Sequence, residues 1–411
     1  MRASRHASLP ALLALLTTVA VPATAQPAAR APDLYQDALQ SIAEGRKTDA
    51  SATLMRVIEN EPNNAGAYLE VALIQCALGR SREAERLFAI IETRFEPKRE
   101  ILELISEARN SGCNNWQAMS AWTVSSGRGV DQNVNQGASN PIYIVERDGG
   151  QIERPLLSEF LPQHDQYSTL SADYMREITA NGSVGFVQYQ GRRNDSLRQF
   201  DSASLYVGIE SPYRFGRWTV RTTGMLGQVL LGGNSYQRQL QLQARIGPPL
   251  PPPGSIQFNV MGGVTRTEYL QLTNFDSTLV ELRGQFSYRK HDLYSSVSLA
   301  ALSDMAHARR PGGSRRGLSL NTLVRHPLGQ RLGGEMAYSY QGWDSSSPYA
   351  PQVIDEVRDQ ATHVLRGTVT YRLTKQHRLQ LEARLLRNRE NISIFQYNNR
   401  TLQLSWHWQG P

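Results

Sequence analysis

The chain predicts an α+β multidomain protein: a short N-terminal helical module followed by a transmembrane antiparallel β-barrel of about fourteen strands. Three observations lead there. Helical periodicity is confined to the first part of the chain, period-2 alternation recurs strand after strand behind it, and a secretion signal precedes both. The closing stretch shows the alternation most plainly. Leu402, Leu404, Trp406 and Trp408 fall on one face and Gln403, Ser405 and His407 on the other, because successive strand side chains point to opposite sides.

Residues 1–25 read as a signal peptide. They have a basic start at Arg2, Arg5 and His6, an apolar run from Leu9 to Val21, and Ala23-Thr24-Ala25 as a small-residue cleavage site before Gln26. No lipid-modifiable Cys follows that site. No later stretch approaches the roughly 18 uninterrupted apolar residues of a transmembrane helix. A mature chain of this kind enters a membrane as a closed barrel, since lipid cannot satisfy an open sheet edge. The expected location is the outer membrane of a Gram-negative bacterium, with the helical module in the periplasm. The formal net charge is +7, and loss of Arg2 and Arg5 with the signal leaves +5. A basic excess suits phosphate-bearing partners, but exported proteins rarely meet nucleic acid, so no nucleic-acid partner is expected.

Residues 26–114 carry a repeat with a period close to 34. Gly45, Ala50, Leu54 and Val57 align with Gly79, Ala84, Phe88 and Ile91, and Pro62 falls one residue out of step with Pro97. This is tetratricopeptide spacing: Gly at the inter-helix turn, a small residue at the helix crossing, bulky residues on the second helix and Pro after it. The expected helical pairs span 33–60 and 64–95, and a further helix over 98–111 caps the stack. Tyr68 and Gln75 mark a possible client groove along the first helices, against the alternative that such positions pack within the module. Cys76 and Cys113 lie in a compartment that permits a disulfide; a bridge and two buried thiols are both compatible with the sequence.

From 115 to 411 the strands are expected at about 115–124, 166–178, 182–192, 200–210, 214–226, 235–246, 254–266, 277–288, 291–302, 315–326, 330–342, 361–373, 377–388 and 397–408. Short turns at Thr179–Asn181, Ser211–Tyr213, Gly247–Pro253, Arg289–Lys290, His326–Gly329 and Thr374–Gln376 would lie on the periplasmic side. Longer loops at Ser125–Gln166, Ser303–Ser314, Gly342–Gln360 and Asn388–Gln396 would lie outside. Tyr288, Tyr294, Trp218, Tyr371 and Trp408 are expected in the interfacial girdles. The inward positions include Arg221, Arg245, Glu281, Arg283, Arg366, Arg372, Arg378, Glu382 and Arg384. Their arginine excess would make an open lumen favour anions, and a cation preference in planar-bilayer recordings would contradict that. The basic loop at Arg309, Arg310, Arg315 and Arg316 would contact lipopolysaccharide phosphates, which guanidinium groups bind bidentately. The apolar face Leu402, Leu404, Trp406 and Trp408 would present the signal for the barrel assembly machinery, with the last strand closing on Trp116–Val124 and Gln409-Gly410-Pro411 overrunning it.

Asp131-Gln132-Asn133-Val134-Asn135 after the first strand, and Asn391-Ile392-Ser393-Ile394-Phe395-Gln396-Tyr397-Asn398-Asn399-Arg400 entering the last, resemble the tetratricopeptide-plus-barrel family of surface lipoprotein assembly modifiers. The resemblance implies a fourteen-stranded outer-membrane barrel that helps particular lipoproteins reach the cell surface. The client is then an exported protein, or in the alternative a polysaccharide leaving through an export porin; a third reading is a barrel that anchors a periplasmic scaffold. The search for chemistry yields no HExxH, no paired-Cys metal spacing and no phosphate-cradling glycine loop. Ser405 and His407, two apart on one strand, are expected side by side and not bonded in line. No catalytic residue, metal or cofactor is expected, and the protein is read as a non-enzyme.

Overall fold

The computed structural model describes residues 34, 35, 38, 39, 42, 47–113, 118–147, 150–179, 182–215, 218–248, 256–290 and 292–410. The signal segment and its cleavage site, Trp116, His291, most of the Gly247–Pro253 turn and Pro411 lie outside them.

The described helices are α1 (Lys47–Asn60), α2 (Ala65–Ala77), α3 (Ser81–Arg94) and α4 (Arg99–Asn110), and Leu34, Tyr35, Ala38, Leu39 and Ile42 before them are also helical. Asn64 caps α2 by accepting from the Ala67 N–H at 3.0 Å. Gly79 ends it with φ +72°, the left-handed conformation that only glycine adopts without strain. The repeat positions are the core. Ala50, Leu54 and Val57 pack with Leu34, Ala38, Val71 and Leu78, while Ala84, Phe88 and Ile91 pack with Tyr68, Ala72 and Ile105. α4 covers the end of the stack through Ile105. Arg109 near its C-terminus pairs with Glu85 at 2.6 Å and Glu92 at 2.7 Å, and its hydrogen bond to Glu92 holds that carboxyl below its usual range. Cys76 and Cys113 form a disulfide that ties α2 to the segment after α4.

The sheet is a closed barrel of fourteen strands, each paired with its sequence neighbours. They are β1 (Ser120–Asp131), β4 (Asp165–Glu177), β5 (Val184–Asn194), β6 (Ser202–Phe215), β7 (Trp218–Leu231), β8 (Asn234–Gly247), β9 (Ile256–Tyr269), β10 (Ser277–Lys290), β11 (Leu293–Ala306), β12 (Arg315–Pro327), β13 (Leu332–Ala350), β14 (Ile354–Arg372), β15 (His377–Glu390) and β16 (Tyr397–Gly410). A separate hairpin, β2 (Ile142–Arg147) and β3 (Gly150–Pro155), lies in the loop after β1. A strand of 14 residues is about 46 Å long, and a tilt of about 40° leaves about 35 Å across the wall.

The outer face is apolar and open. Leu226, Leu242, Leu282, Leu299, Leu318 and Met336 are all more than half exposed. A soluble protein does not display so continuous an apolar band, and lipid is the solvent that covers it. The chain is therefore a membrane-spanning barrel, of the type found in bacterial outer membranes.

Every expected strand is present, with its ends revised. β1 begins and ends later than 115–124, so Asp131 is its last residue and not the start of a loop. β6 runs through the expected turn Ser211–Tyr213. The expected loop Gly342–Gln360 is mostly sheet: β13 and β14 each reach 19 residues and turn at 351–353. The long loops shorten because continuing the ladder pairs backbone groups that a loop must satisfy individually. Tyr294 is also revised. It shares its face with buried Ser298 and Ala300 and lies under the Arg289 guanidinium at 5.3 Å, whereas Trp218, Tyr371 and Trp408 are exposed on the outside.

The barrel closes between β1 and β16, from Trp122 opposite Gly410 to Asp131 opposite Thr401. The expected overrun is thus largely strand. A side chain at Gly410 would collide with the Trp122 indole, which stands edge-on to Trp408 with ring centroids 4.6 Å apart. Trp408 continues outward-facing with Trp406 and His377, so aromatic packing carries the seam to the end of the sheet.

Candidate functional site

Three regions bear on function: the lumen wall, the far end of the seam and the contact between the helices and the barrel. Alternation sets the first. Leu240, Leu282, Leu365 and Leu381 face outward, so Arg245, Glu281, Arg283, Arg366, Arg372, Arg378, Glu382 and Arg384 share the inward face, as does Arg221 opposite Arg245. Part of this charge is neutralised in place. Arg283 donates to Glu281 at 2.5 Å and to Ser298 at 3.2 Å. Arg366 reaches Glu335 at 3.2 Å, a carboxylate it shares with Arg325. On β14 and β15, Arg366 stands opposite Arg384 and Arg372 opposite Arg378. Among the described residues, Arg372, Arg378 and Arg384 have no carboxylate at ion-pair distance. On the opposite arc, Gln237, Gln239, Gln241 and Gln243 of β8 point inward beside Arg245 of the same strand, on the side opposite exposed Leu240 and Leu242.

At the far end of the seam, the two short motifs that are 256 or more residues apart in sequence meet. Asn133 is buried at 1% exposure and donates through Nδ2 to the carbonyls of Gly137 and Asn398, both at 2.9 Å, while its Oδ1 accepts from the Gly137 N–H at 2.7 Å. Asp131 accepts from the Asn133 N–H at 2.9 Å and from Arg192 Nη2 at 2.7 Å. Asn135 binds the strand-return segment through the carbonyls of Glu159 and Leu161. From the other motif, the Gln396 carbonyl accepts from the Ser139 N–H and the Asn398 N–H donates to Ser139 Oγ. These residues fasten the first loop to the last strand, and a burial this complete marks a structural clasp.

The basic loop divides. Arg310, 7% exposed, donates to Asp304 Oδ2 at 2.9 Å and to the Gly313 carbonyl at 2.8 Å. Arg315 donates to the same carboxylate oxygen at 2.7 Å and lies over the Trp343 ring at 4.4 Å. Arg310 and Arg315 are thus corrected from lipid contacts to members of an internal ion cluster, because Asp304 on β11 takes both guanidiniums. Arg309 and Arg316 remain exposed.

Tyr68 and Gln75 are also corrected. Both are more than nine-tenths buried: Tyr68 packs on Phe95 with centroids 5.3 Å apart, and Gln75 donates to Ser51 Oγ at 3.0 Å while accepting from Arg80 at 3.1 Å. They join helices and leave no groove wall. The helical module instead touches the barrel. Asp49 on α1 forms an ion pair with Arg221 on β7, whose guanidinium also pairs with Glu210 on β6. Asp49 had no distinguishing sequence signal, since an acidic residue in a first helical turn is ordinary.

Ser405 and His407 differ from expectation as well. Ser405 Oγ lies 3.0 Å from His407 Nε2, since the imidazole is long enough to lean back along the strand. The residues opposite His407 are Arg378 on β15 and Ser125 on β1, and among the described residues no carboxylate bonds the imidazole. A catalytic serine–histidine pair uses a third group, most often a carboxylate, to orient the imidazole.

No protein-family model matches the chain, and no curated protein matches it. Among solved structures it is similar to the outer membrane channel DcaP of Acinetobacter baumannii, at 10% identity and TM-score 0.42, over 72% of this chain and 97% of that one. It is similar to a loop-deletion mutant of OmpT, an outer membrane protein of Vibrio cholerae, at 9% identity and TM-score 0.39, over 71% and 99% of the two chains. It is also similar to an anion-selective porin from Comamonas acidovorans, at 11% identity and TM-score 0.37, over 72% and 99%. The likeness concerns barrel architecture alone.

Proposed function

We propose that the protein assists export or surface assembly of a client across the outer membrane, with a surface lipoprotein as the client and the helical module working in the periplasm. The observation that carries this reading is the Asp49–Arg221–Glu210 link, which ties the module to the inward face of the barrel wall. A module that merely shared a chain with the barrel would need no such contact. The resemblance of the 131–135 and 391–400 segments to lipoprotein assembly modifiers supplies the client class. Assembly of the barrel itself would use the apolar face Leu402, Leu404, Trp406 and Trp408 as the signal to the assembly machinery.

One observation favours a second reading. The four inward glutamines of β8 offer paired amide donors and acceptors, the chemistry that hydrogen-bonds glycan hydroxyls in an exopolysaccharide export porin. A deletion strain examined by surface proteomics and exopolysaccharide staining separates the two. Loss of a surface lipoprotein with normal polymer is the expected result. Loss of polymer alone moves the function to the second reading. A chain lacking residues 26–112 that still inserts and still restores the surface lipoprotein would remove the proposed role of the module.

A further inference from the structure

Arg387, Arg389 and Arg400 are exposed on the outside of the barrel, in step with the lipid-facing Leu381, Leu385, Leu402 and Leu404. The β15–β16 register sets Asn398 opposite Arg387 and Arg400 opposite Leu385. Arg400 is therefore a diagonal neighbour of Arg387, at about 7–8 Å, and Arg389 follows Arg387 on the same face. Across the other edge of β15, His363 stands opposite Arg387, with Nδ1 2.9 Å from Tyr338 Oη and its ring 5.2 Å from Tyr340. Beyond the arginines, toward the middle of the wall, Leu365, Leu385 and Leu402 are each more than 40% exposed.

The three guanidiniums differ from their neighbours in having no acid bonded to them among the described residues. Arg358 on the inward side pairs with Glu390 at 2.6 Å, and Arg128 on the outside pairs with Asp195. The acid nearest by register is Asp359, diagonal to Arg389. Among the described residues one acid lies near three arginines at the edge of an apolar band, and a phosphate anion complements that excess of positive charge. Leucines directly beneath require acyl chains. One amphiphile meets both demands.

We propose that Arg387, Arg389 and Arg400 bind the phosphates of lipopolysaccharide, with its acyl chains lying on Leu365, Leu385 and Leu402. Guanidinium forks bind phosphate oxygens bidentately, and the site is on the barrel wall, apart from the 309–316 loop. The assignment rests on the orientation proposed above, in which the β15–β16 turn faces the cell exterior.

The test uses the full chain in phosphatidylcholine nanodiscs, with lipid A titrated in and binding read by native mass spectrometry and thermal melting. Lipid A is expected to bind and raise the melting temperature. The R387Q/R389Q/R400Q variant is expected to melt normally without lipid A and to bind it about tenfold more weakly or worse, and the corresponding triple lysine variant to fall between. Equal binding of dephosphorylated lipid A or of phosphatidylglycerol, or unchanged affinity in the glutamine variant, overturns the proposal. Orientation is checked separately by labelling Val353→Cys in whole cells with a membrane-impermeant maleimide. Absence of label would reject the orientation and overturn the proposal, because lipopolysaccharide occupies the outer leaflet.

Discussion

Asp304→Ala is expected to lower the unfolding stability of the barrel by about 3–5 kcal/mol, because it leaves a buried guanidinium without its counter-charge. Asp304 is 4% exposed at its side chain and Arg310 7%. Neither can recover water without moving, and Arg315 loses its carboxylate partner at the same time. The Asp304→Ala/Arg310→Met double variant is expected to regain most of the loss, since removing both charges of a buried pair costs far less than removing one. Urea unfolding in lipid measures the difference. Local release of the 307–314 turn is the other expected outlet for the strain, and it exposes Arg309 to trypsin. A change below about 1 kcal/mol with no new cleavage would refute the assignment of Asp304 as the anchor of that loop.

The second large effect lies in the helical module. Cys76→Ser/Cys113→Ser removes a crosslink spanning 37 residues. Chain-entropy reasoning puts the cost of that loop at about 3–4 kcal/mol. For a helical unit of this size the fall in Tm is roughly 20 °C. Small helical units have little core to draw on, so the crosslink is a large share of what holds α2 and α4 together. Melting the full chain in detergent by circular dichroism, with and without reductant, reads the helical transition beside the barrel. The wild type should lose the same stability on reduction, while the serine variant should not respond. Equal melting of reduced and oxidised wild type would contradict the assignment.

Much of this architecture was legible in the residues because alternation and period-34 repetition are local and redundant. Ala50, Leu54 and Val57 repeat as Ala84, Phe88 and Ile91, and all six are buried in the module core. Leu402, Leu404, Trp406 and Trp408 alternate with polar residues, and all four are exposed to the lipid side. Strand ends were less legible. The β13–β14 hairpin continues past the lipid band, where the apolar alternation that identifies a strand gives way to Asp344-Ser345-Ser346-Ser347, the register with β14 shifts before Pro348, and the Ser346 and Ser347 N–H groups bond to the 312–314 turn instead.

Site residues were legible only where their role follows from the face they occupy. Arg366, Arg378 and Arg384 point inward because of parity. The role of Arg310 depends on Asp304 in the preceding strand, that of Asn133 on the Asn398 carbonyl, and that of Tyr68 on Phe95, and no periodicity encodes such pairings. Residue order by itself determined the division into helices and barrel, the number of strands and which side of each strand meets lipid, since these follow from spacing along one segment. Tertiary structure decided which arginines are neutralised, where the seam is clasped and how the helical module meets the wall. Those outcomes depend on distances between residues remote in sequence, and charge and hydrogen bonding act over those distances.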